Sequence, residues 1–282
     1  MTVFIFPGQG SQIKGMGKEL FDEFNHITQK ADDILGYSIK DLCLNDASKQ
    51  LNQTQFTQPA IYTTNALMYM KKVSNNIPKP SFLAGHSLGE YNALLAANVF
   101  DFETGLKLVK KRGELMSQAS NGAMAAVIGL KSEIIKDALK NENLNNVVIA
   151  NYNSYTQIVI SGSAHEVHQA MSTCENLGAQ LVIPLKVSGA FHSPHMKDAE
   201  ENFTNYIKEF EFTAPTIQVL SNYTTKPYNK NNIIDNITNQ ITHSVRWVEI
   251  IEYLINNGET EFEEIGPGTI LTGLLKRIKD GK

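Results

Sequence analysis

One nonapeptide, Phe82-Leu-Ala-Gly-His-Ser-Leu-Gly-Glu90, constrains the fold of this 282-residue chain more than any other stretch. It contains G-x-S-x-G, with Gly85 and Gly89 around Ser87, between a short apolar run and a helix-forming segment, 91–97. A strand that turns at once into a helix leaves no room for Cβ atoms beside the turn. We therefore predict a nucleophile elbow with the Ser87 hydroxyl exposed at a helix N-terminus, where free N–H groups favour negative charge. The alternative is a Gly-Ser turn without a catalytic role.

Composition excludes several classes of protein. The chain is 42% apolar and 19% charged with a net charge of −4, which is typical of a globular protein and not of a nucleic-acid binder. It contains neither an apolar run of about 18 residues nor a basic segment followed by an apolar one, so we expect no membrane span and no signal peptide. Cys43 and Cys174 are far apart, which favours a reducing cytoplasm over a disulfide or zinc scaffold.

A change of pattern at Gly122 indicates a second domain. The predicted elements are strand 123–130, helix 132–139, strands 147–151 and 157–162, helix 164–177 and strand 181–187. The order βαββαβ is that of a ferredoxin-like unit. We therefore predict a small ferredoxin-like subdomain, 121–192, inserted into a large α/β domain with a parallel sheet, 1–120 and 193–282.

The large domain is predicted from strands and amphipathic helices. We place strands at 3–6, 215–221 and 262–265, and helices at about 20–27, 58–76, 101–116, 196–210, 247–256 and from 269. Pro59 is expected in the first turn of its helix, and the Asn-rich stretch 229–239 at the surface. The loop Pro7-Gly-Gln-Gly-Ser11 can point backbone N–H groups at a ligand, but it lacks the phosphate-binding patterns.

A serine nucleophile needs a base, and His192 is the best candidate among the seven histidines. It follows a predicted strand end where the inserted unit rejoins the large domain, and His195 lies three residues further on. His86 adjoins Ser87, but neighbours across a sharp turn diverge, so we interpret it as structural. His165 and His168 are spaced like a metal pair, but with no third ligand nearby we expect a solvated helix face.

Two further features concern charge. No carboxylate between Ser87 and His192 stands out as a triad member, because Asp137 falls in the inserted unit; a backbone carbonyl can fix the same histidine tautomer. Arg112 follows the nucleophile by 25 positions and could grip a substrate carboxylate with two hydrogen bonds. It could equally be one more cation on a basic helix with Lys107 and Lys110, and the pattern does not decide between the two.

Several motifs together give a resemblance. The chain resembles malonyl-CoA:acyl-carrier-protein transacylases and the acyltransferase domains of polyketide synthases. The matching pieces, spread in order over nearly the whole chain, are Phe6-Pro-Gly-Gln-Gly-Ser-Gln12, Gln58-Pro59-Ala60, Gly85-His-Ser-Leu-Gly-Glu90, Lys111-Arg-Gly113, Gly122-Ala-Met124, Gly189-Ala-Phe-His192 and Gly266-Pro-Gly268. The resemblance implies an α/β-hydrolase-like large domain with a ferredoxin-like insertion.

The resemblance also implies roles for individual residues. Ser87 would attack the thioester of malonyl-CoA with His192 as general base, and a carrier-protein thiol would then take the malonyl group. The other implied roles are an oxyanion hole from the backbone N–H groups of Gln9 and Leu88, a malonyl-carboxylate site at Arg112, a histidine-orienting carbonyl at Gln240 and exclusion of an α-methyl group by Phe191.

The resemblance implies partners as well. They are coenzyme A thioesters and an acyl carrier protein or the carrier domains of a polyketide synthase, with no cofactor, metal, nucleic acid or membrane, and we expect a monomer. Stretches such as Leu35-Gly-Tyr-Ser-Ile39 are most similar to the free-standing enzymes of trans-acyltransferase polyketide synthases, with fatty acid synthesis as the other pathway. Two other classes stay open: a thioester hydrolase that clears carrier-bound chains, and a non-catalytic scaffold. Arg112 argues against the hydrolase, and intact Ser87 and His192 argue against the scaffold.

Overall fold

The computed structural model describes residues 2–75, 78–187 and 189–282. Its strands are β1 (Thr2–Phe6), β2 (Phe82–Gly85), β3 (Gly122–Ile128), β4 (Val147–Ser154), β5 (Gln157–Ser163), β6 (Leu181–Pro184), β7 (Gln218–Val219) and β8 (Glu261–Glu264). Its α-helices are α1 (Leu20–Glu23), α2 (Asn25–Leu35), α3 (Ile39–Leu44), α4 (Thr54–Ser74), α5 (Gly89–Ala96), α6 (Phe102–Ser117), α7 (Ser132–Asn141), α8 (Ala164–Asn176), α9 (Lys197–Ile207), α10 (Ile233–Asn239), α11 (Trp247–Asn256) and α12 (Ile270–Lys279).

A parallel sheet in the order β7-β2-β1-β8 forms the centre of the large domain. Residues Val3–Phe6 of β1 are all buried, as expected for a strand covered on both faces. Phe4 and Phe6 pack in a core with α4, α5 and α6, whereas Val3 and Ile5 face α11 and α12. Because β1 and β2 run in parallel with Phe6 opposite Gly85, the loops after both strands emerge at the same edge of the sheet.

The inserted unit has an antiparallel sheet in the order β4-β5-β3-β6. Helices α7 and α8 contribute Ile135, Leu139 and Val167 to a separate core against this sheet. The predicted fold class, a parallel α/β domain with a small ferredoxin-like unit, is therefore confirmed. The unit contacts the large domain through a parallel bridge between Asn151 and Val245. The boundaries at 121 and 192 stay a prediction, and Ser188 within them lies outside the described residues.

Some predicted elements differ from the structure. The helix predicted over 20–27 is two helices, α1 and α2, which meet at Phe24. Helix α4 begins at Thr54, so Pro59 lies inside it rather than in its first turn; only the Gln55 carbonyl loses its helical partner. The predicted end of that helix, Asn76, lies outside the described residues. The strand predicted over 215–221 is reduced to β7.

The Asn-rich stretch 229–239 is not merely surface, and that expectation was wrong. It contains α10, whose Ile233, Asn236 and Ile237 are buried. The two isoleucines are four residues apart and therefore lie on one helix face, which the surrounding asparagines obscure in the sequence. In the described part of the chain, the helices lack either the length or the hydropathy that crossing a bilayer requires.

Candidate active site

The predicted nucleophile elbow is present between β2 and α5. Ser87 has φ of 51°, a left-handed conformation that is strained for a residue with a side chain. A Cβ on Gly85 would lie 2.0 Å from the carbonyl carbon of Gly89, and a Cβ on Gly89 would lie 2.0 Å from the Phe6 carbonyl oxygen. Both positions therefore require glycine, since the strand, the turn and the helix pack backbone against backbone.

His192 contacts the side chain of Ser87. Ser87 Oγ lies 2.7 Å from His192 Nε2, while Nδ1 lies 2.8 Å from the Gln240 carbonyl oxygen and 3.1 Å from that of His243. Two carbonyl acceptors place the ring proton on Nδ1, so Nε2 accepts from the serine hydroxyl. The ring is 4% exposed, and burial together with the nearby Arg112 cation lowers the pKa of His192 to about 3. The imidazole is therefore neutral at neutral pH, as a base must be.

Arg112 is a buried cation beside Ser87 rather than part of a solvated helix face. Its guanidinium donates to Gln58 Oε1 through Nη1 at 2.7 Å, and through Nη2 to Gln240 Oε1 at 2.8 Å and Ser87 Oγ at 3.1 Å. Among the described residues, no carboxylate lies within ion-pair distance and Nε has no acceptor. Burial lowers the pKa of Arg112. A desolvated cation held by neutral amides is well suited to bind an anion.

Gln240 contacts Ser87, His192 and Arg112. Its backbone carbonyl accepts from His192, and its side-chain oxygen accepts from Arg112. Its amide nitrogen donates to the Ser87 carbonyl at 2.8 Å and to a carboxylate oxygen of Glu90. The sequence suggested only the backbone contact; nothing in the pattern indicated that the side chain bridges the nucleophile and the cation.

Asn222, which sequence reasoning missed, holds the elbow. Its Oδ1 accepts the Ser87 N–H at 2.7 Å and its Nδ2 donates to the Gly85 carbonyl at 2.7 Å, so one side chain spans the strained turn. Asn222 follows β7, whose carboxyl end lies at the same edge of the parallel sheet as the elbow. A polar residue directly after a predicted parallel strand was the signal that could have identified it.

The loop after β1 packs directly on the elbow. A Cβ on Gly8 would lie 2.3 Å from the His86 carbonyl oxygen and 3.4 Å from Leu88 N. Within residues 2–75, 78–187 and 189–282, the backbone N–H groups of Gln9 and Leu88 have no acceptor. The Ser87 N–H is already used by Asn222, whereas the N–H groups of Gln9 and Leu88 are available as donors in this part of the site.

Four other histidines, His86, His165, His168 and His195, make no hydrogen bond to Ser87 or His192 in the described part of the chain. His86 contacts Asn153 Oδ1 at 2.8 Å through Nε2 and packs edge-on to Trp247, as expected for a structural side chain. His195 is exposed and contacts the Asn146 carbonyl at 3.3 Å. His165 and His168 are exposed on α8. In the described ranges, no group of three or more His, Cys, Asp or Glu side chains could hold a metal ion.

A cavity of about 410 Å³ opens beside His192, between β4 of the inserted unit and the large domain. Its wall combines Val148 from β4 with Asn239 and Thr242 from the large domain, so it gives access to the base from between the domains. Phe191 is buried in the main core directly before His192, and its role as a specificity residue stays a prediction.

Comparisons with known proteins agree on one family. The family model described as an acyl transferase domain matches residues 3–280. The polyketide biosynthesis malonyl CoA-acyl carrier protein transacylase PksC of Bacillus subtilis is 55% identical over 280 residues, which cover 99% of this chain and 97% of that protein.

Solved structures are similar over the same extent. The crystal structure of the malonyl CoA-acyl carrier protein transacylase from Burkholderia pseudomallei superposes with a TM-score of 0.96 at 47% identity, covering 100% of this chain and 99% of that one. A malonyl-transacylase solved with the acyl-carrier protein of a type II polyketide synthase gives a TM-score of 0.95 at 36% identity, covering 99% and 93%.

Proposed function

The chain belongs to the acyl transferase family, and we propose that it transfers a malonyl group from malonyl-CoA, through an ester on Ser87, to the phosphopantetheine thiol of an acyl carrier protein. The observation that carries the proposal is the buried guanidinium of Arg112, 3.1 Å from Ser87 Oγ and without a carboxylate partner in the described ranges. Malonyl thioesters carry the anionic group that such a cation binds.

In the first half-reaction the Ser87 hydroxyl attacks the thioester carbonyl while its proton passes to His192 Nε2. The negative charge on the carbonyl oxygen is received by the N–H groups of Gln9 and Leu88, each such donor stabilising the transition state by about 3 kcal/mol. When the carbon–sulfur bond breaks, the His192 proton goes to the coenzyme A sulfur. The products are free coenzyme A and malonyl-Ser87.

The second half-reaction reverses these roles. The carrier-protein thiol gives its proton to His192 Nε2 and attacks the Ser87 ester, again with the oxyanion at the same donors. The carbon–oxygen bond to serine then breaks, and the proton returns to Ser87 Oγ. Because the acyl group rests on the enzyme between two substrates, the kinetics are ping-pong. These side chains and N–H groups supply each step, so the cycle needs no cofactor.

Arg112 selects the acyl group. Within the described residues, its hydrogen-bond acceptors in the free enzyme are the amide oxygens of Gln58 and Gln240 and Ser87 Oγ. A malonyl carboxylate would give it a direct ion-pair partner in a dry site, where such a pair is strong. An acetyl group or a neutral chain would leave the buried cation unpaired, which disfavours the editing hydrolase as the alternative.

We assign the carrier domains of a polyketide synthase, acting in trans, as acceptors. This follows from full-length similarity to a polyketide biosynthesis transacylase, with fatty acid synthesis as the second pathway. Similarity to a transacylase solved with a carrier protein supports this class of partner. One chain supplies all the residues given roles here, so we propose that it acts as a monomer.

Intact-protein mass spectrometry after brief mixing with malonyl-CoA tests the function. The expected result is a malonyl-sized mass increase on the wild type that is absent from Ser87→Ala, followed by its loss when a phosphopantetheinylated carrier protein is added. Rapid hydrolysis of acetyl or longer acyl groups, with no malonyl loading, would overturn the transferase in favour of the hydrolase.

A further inference from the structure

A buried carboxylate that no step of the proposed reaction uses lies at the centre of the site. Glu90, in the first turn of α5, is 1% exposed. Its Oε1 accepts from the Asn222 backbone N–H at 2.8 Å and from the Tyr228 hydroxyl at 2.7 Å, and its Oε2 accepts from the Gln240 amide nitrogen. Within the described ranges it has no Lys or Arg ion-pair partner. Such a group is expensive to bury, so its three donors call for an explanation.

The contact with Gln240 determines which way that amide points. The Gln240 nitrogen faces two acceptors, Glu90 Oε2 and the Ser87 carbonyl, and its oxygen faces the Arg112 guanidinium. If the amide were reversed, its nitrogen would face the guanidinium, donor against donor, and its oxygen would face two acceptors. Glu90 therefore enforces the orientation that gives Arg112 its acceptor.

The contact with Asn222 supports the nucleophile. Glu90 accepts the Asn222 backbone N–H, and the Asn222 side chain bridges the Ser87 N–H and the Gly85 carbonyl. Glu90 therefore accepts hydrogen bonds from both Asn222 and Gln240, the two residues whose side chains bind the backbone of Ser87. Its own carboxylate has no contact with Ser87 Oγ or His192 in the described part of the chain.

We propose that Glu90 is a positioning residue for malonyl selectivity: by fixing the Gln240 amide it holds Arg112 in the direction that receives the substrate carboxylate beside Ser87. This rests on the proposed function. It predicts that a substitution of Glu90 lowers kcat/KM for malonyl loading much more than for acetyl loading, because an acetyl group has no carboxylate for Arg112 to bind. A merely structural role would lower both rates together.

Glu90→Gln is the direct test, with kcat/KM for loading measured separately for malonyl-CoA and acetyl-CoA. The glutamine amide has an NH₂ group where the carboxylate had an oxygen. It therefore points a donor at one of the three groups that donate to Glu90. A hydrogen bond to a charged group is worth about one to two powers of ten, so we expect malonyl loading to fall roughly 10- to 100-fold and acetyl loading by less than about threefold. Glu259→Gln is the matched control, because Glu259 is also a buried glutamate but lies just before β8. It should leave both rates unchanged.

A double-mutant cycle tests the route through Gln240. Gln240→Met removes the bridging amide but keeps the backbone carbonyl that accepts from His192. If Glu90 acts through this amide, Glu90→Gln should change the malonyl-to-acetyl ratio by less than about twofold in the Gln240→Met background, a strong departure from additivity. Glu90→Asp, whose shorter side chain draws back from Gln240, replaces Glu90→Gln if the latter does not fold. Thermal melting confirms folding in each case.

The outcomes separate the two levels of the proposal. The positioning role alone is overturned if the wild type loads malonyl and a folded Glu90→Gln protein keeps the wild-type ratio of malonyl to acetyl loading. An additive double-mutant cycle does the same. Wild type that never loads malonyl overturns the proposed function and the inference with it.

Discussion

Arg112 Nη2 lies 3.1 Å from Ser87 Oγ, so a buried cation donates a hydrogen bond to the hydroxyl proposed as nucleophile. Two glutamine oxygens hold the same guanidinium, from Gln58 on α4 and from Gln240 after α10. The guanidinium is therefore fixed in direction without a direct ion pair in the described part of the chain. If Arg112 binds the malonyl carboxylate, as proposed, the site selects its substrate by charge rather than by length.

Arg112→Gln should separate malonyl from acetyl loading. Loss of the charged partner should lower kcat/KM for malonyl-CoA by roughly 10- to 100-fold, since hydrogen bonds to charged groups contribute about 1.5–3 kcal/mol. Acetyl loading should stay constant or rise. Lys107→Gln is the matched control, because Lys107 lies on the same helix but is exposed. Equal losses for the two thioesters would contradict a carboxylate site at Arg112.

Asn222→Leu should lower the loading of Ser87 to the same extent for malonyl and acetyl groups. The substitution keeps the approximate volume but leaves the Ser87 N–H and the Gly85 carbonyl without their present partner, which costs about 1–3 kcal/mol for each buried group. We expect lower stability in urea unfolding and parallel losses of malonyl and acetyl loading. A selective loss of malonyl loading would instead place Asn222 in the recognition of the carboxylate.

The sequence predicted the parts of this site that have local signatures. Gly85, Ser87 and Gly89 are close neighbours, and a turn that excludes Cβ atoms needs glycine whatever surrounds it, so the elbow was predictable. His192 followed from the end of a predicted strand at a domain boundary. Fold class followed from the order of strands and helices around Gly122.

The hydrogen-bond network could not be predicted in this way. Glu90 and Asn222 are 132 positions apart and Glu90 and Gln240 are 150 apart, so only the tertiary fold brings them together. Glu90 follows the elbow on an apolar helix, where a carboxylate would ordinarily be placed at the surface. Asn and Gln side chains are mostly exposed in proteins, so the residue types at 222 and 240 give no sign of burial.

The contribution of His192 to the stability of the wild type should fall on acidification. Burial and Arg112 lower the pKa of His192 from 6.5 to about 3, so between these values the unfolded chain binds more protons than the folded one. The contribution of His192 to the free energy of unfolding is therefore retained above pH 6.5 and lost as the pH falls from 6.5 towards 3. Burial raises the pKa of Glu90 from 4.5 to about 7, and that group acts in the opposite direction between these two values.

His192→Gln isolates this contribution. Urea unfolding of wild type and variant at several pH values between 7.5 and 4.5 should give a stability difference that shifts in favour of the variant as the pH falls. His26→Gln, at an exposed position on α2, is the control for the same exchange away from the site. A difference between wild type and His192→Gln that is constant over this range would mean that the imidazole is not held neutral by the fold.

Gly8→Ala should lower catalysis by moving the oxyanion donors rather than by removing a side chain. The new Cβ would lie 2.3 Å from the His86 carbonyl oxygen, a backbone atom of the elbow that cannot yield without moving Ser87. The loop must therefore shift and carry the Gln9 N–H with it. Loss of one oxyanion donor corresponds to about 10²- to 10³-fold in kcat, and the loss should be similar for malonyl and acetyl groups.

Gly273→Ala is the control for the same chemical change, because a Cβ at this position in α12 has no neighbouring atom within 4 Å. Alanine is favoured over glycine inside a helix by about 1 kcal/mol, so that variant should be at least as stable as the wild type and fully active. Single-turnover loading, followed by intact mass, measures the acylation step directly. Gly8→Ala loading at the wild-type rate would show that the loop after β1 supplies no donor to the oxyanion, and the proposed pair of Gln9 and Leu88 would then be wrong.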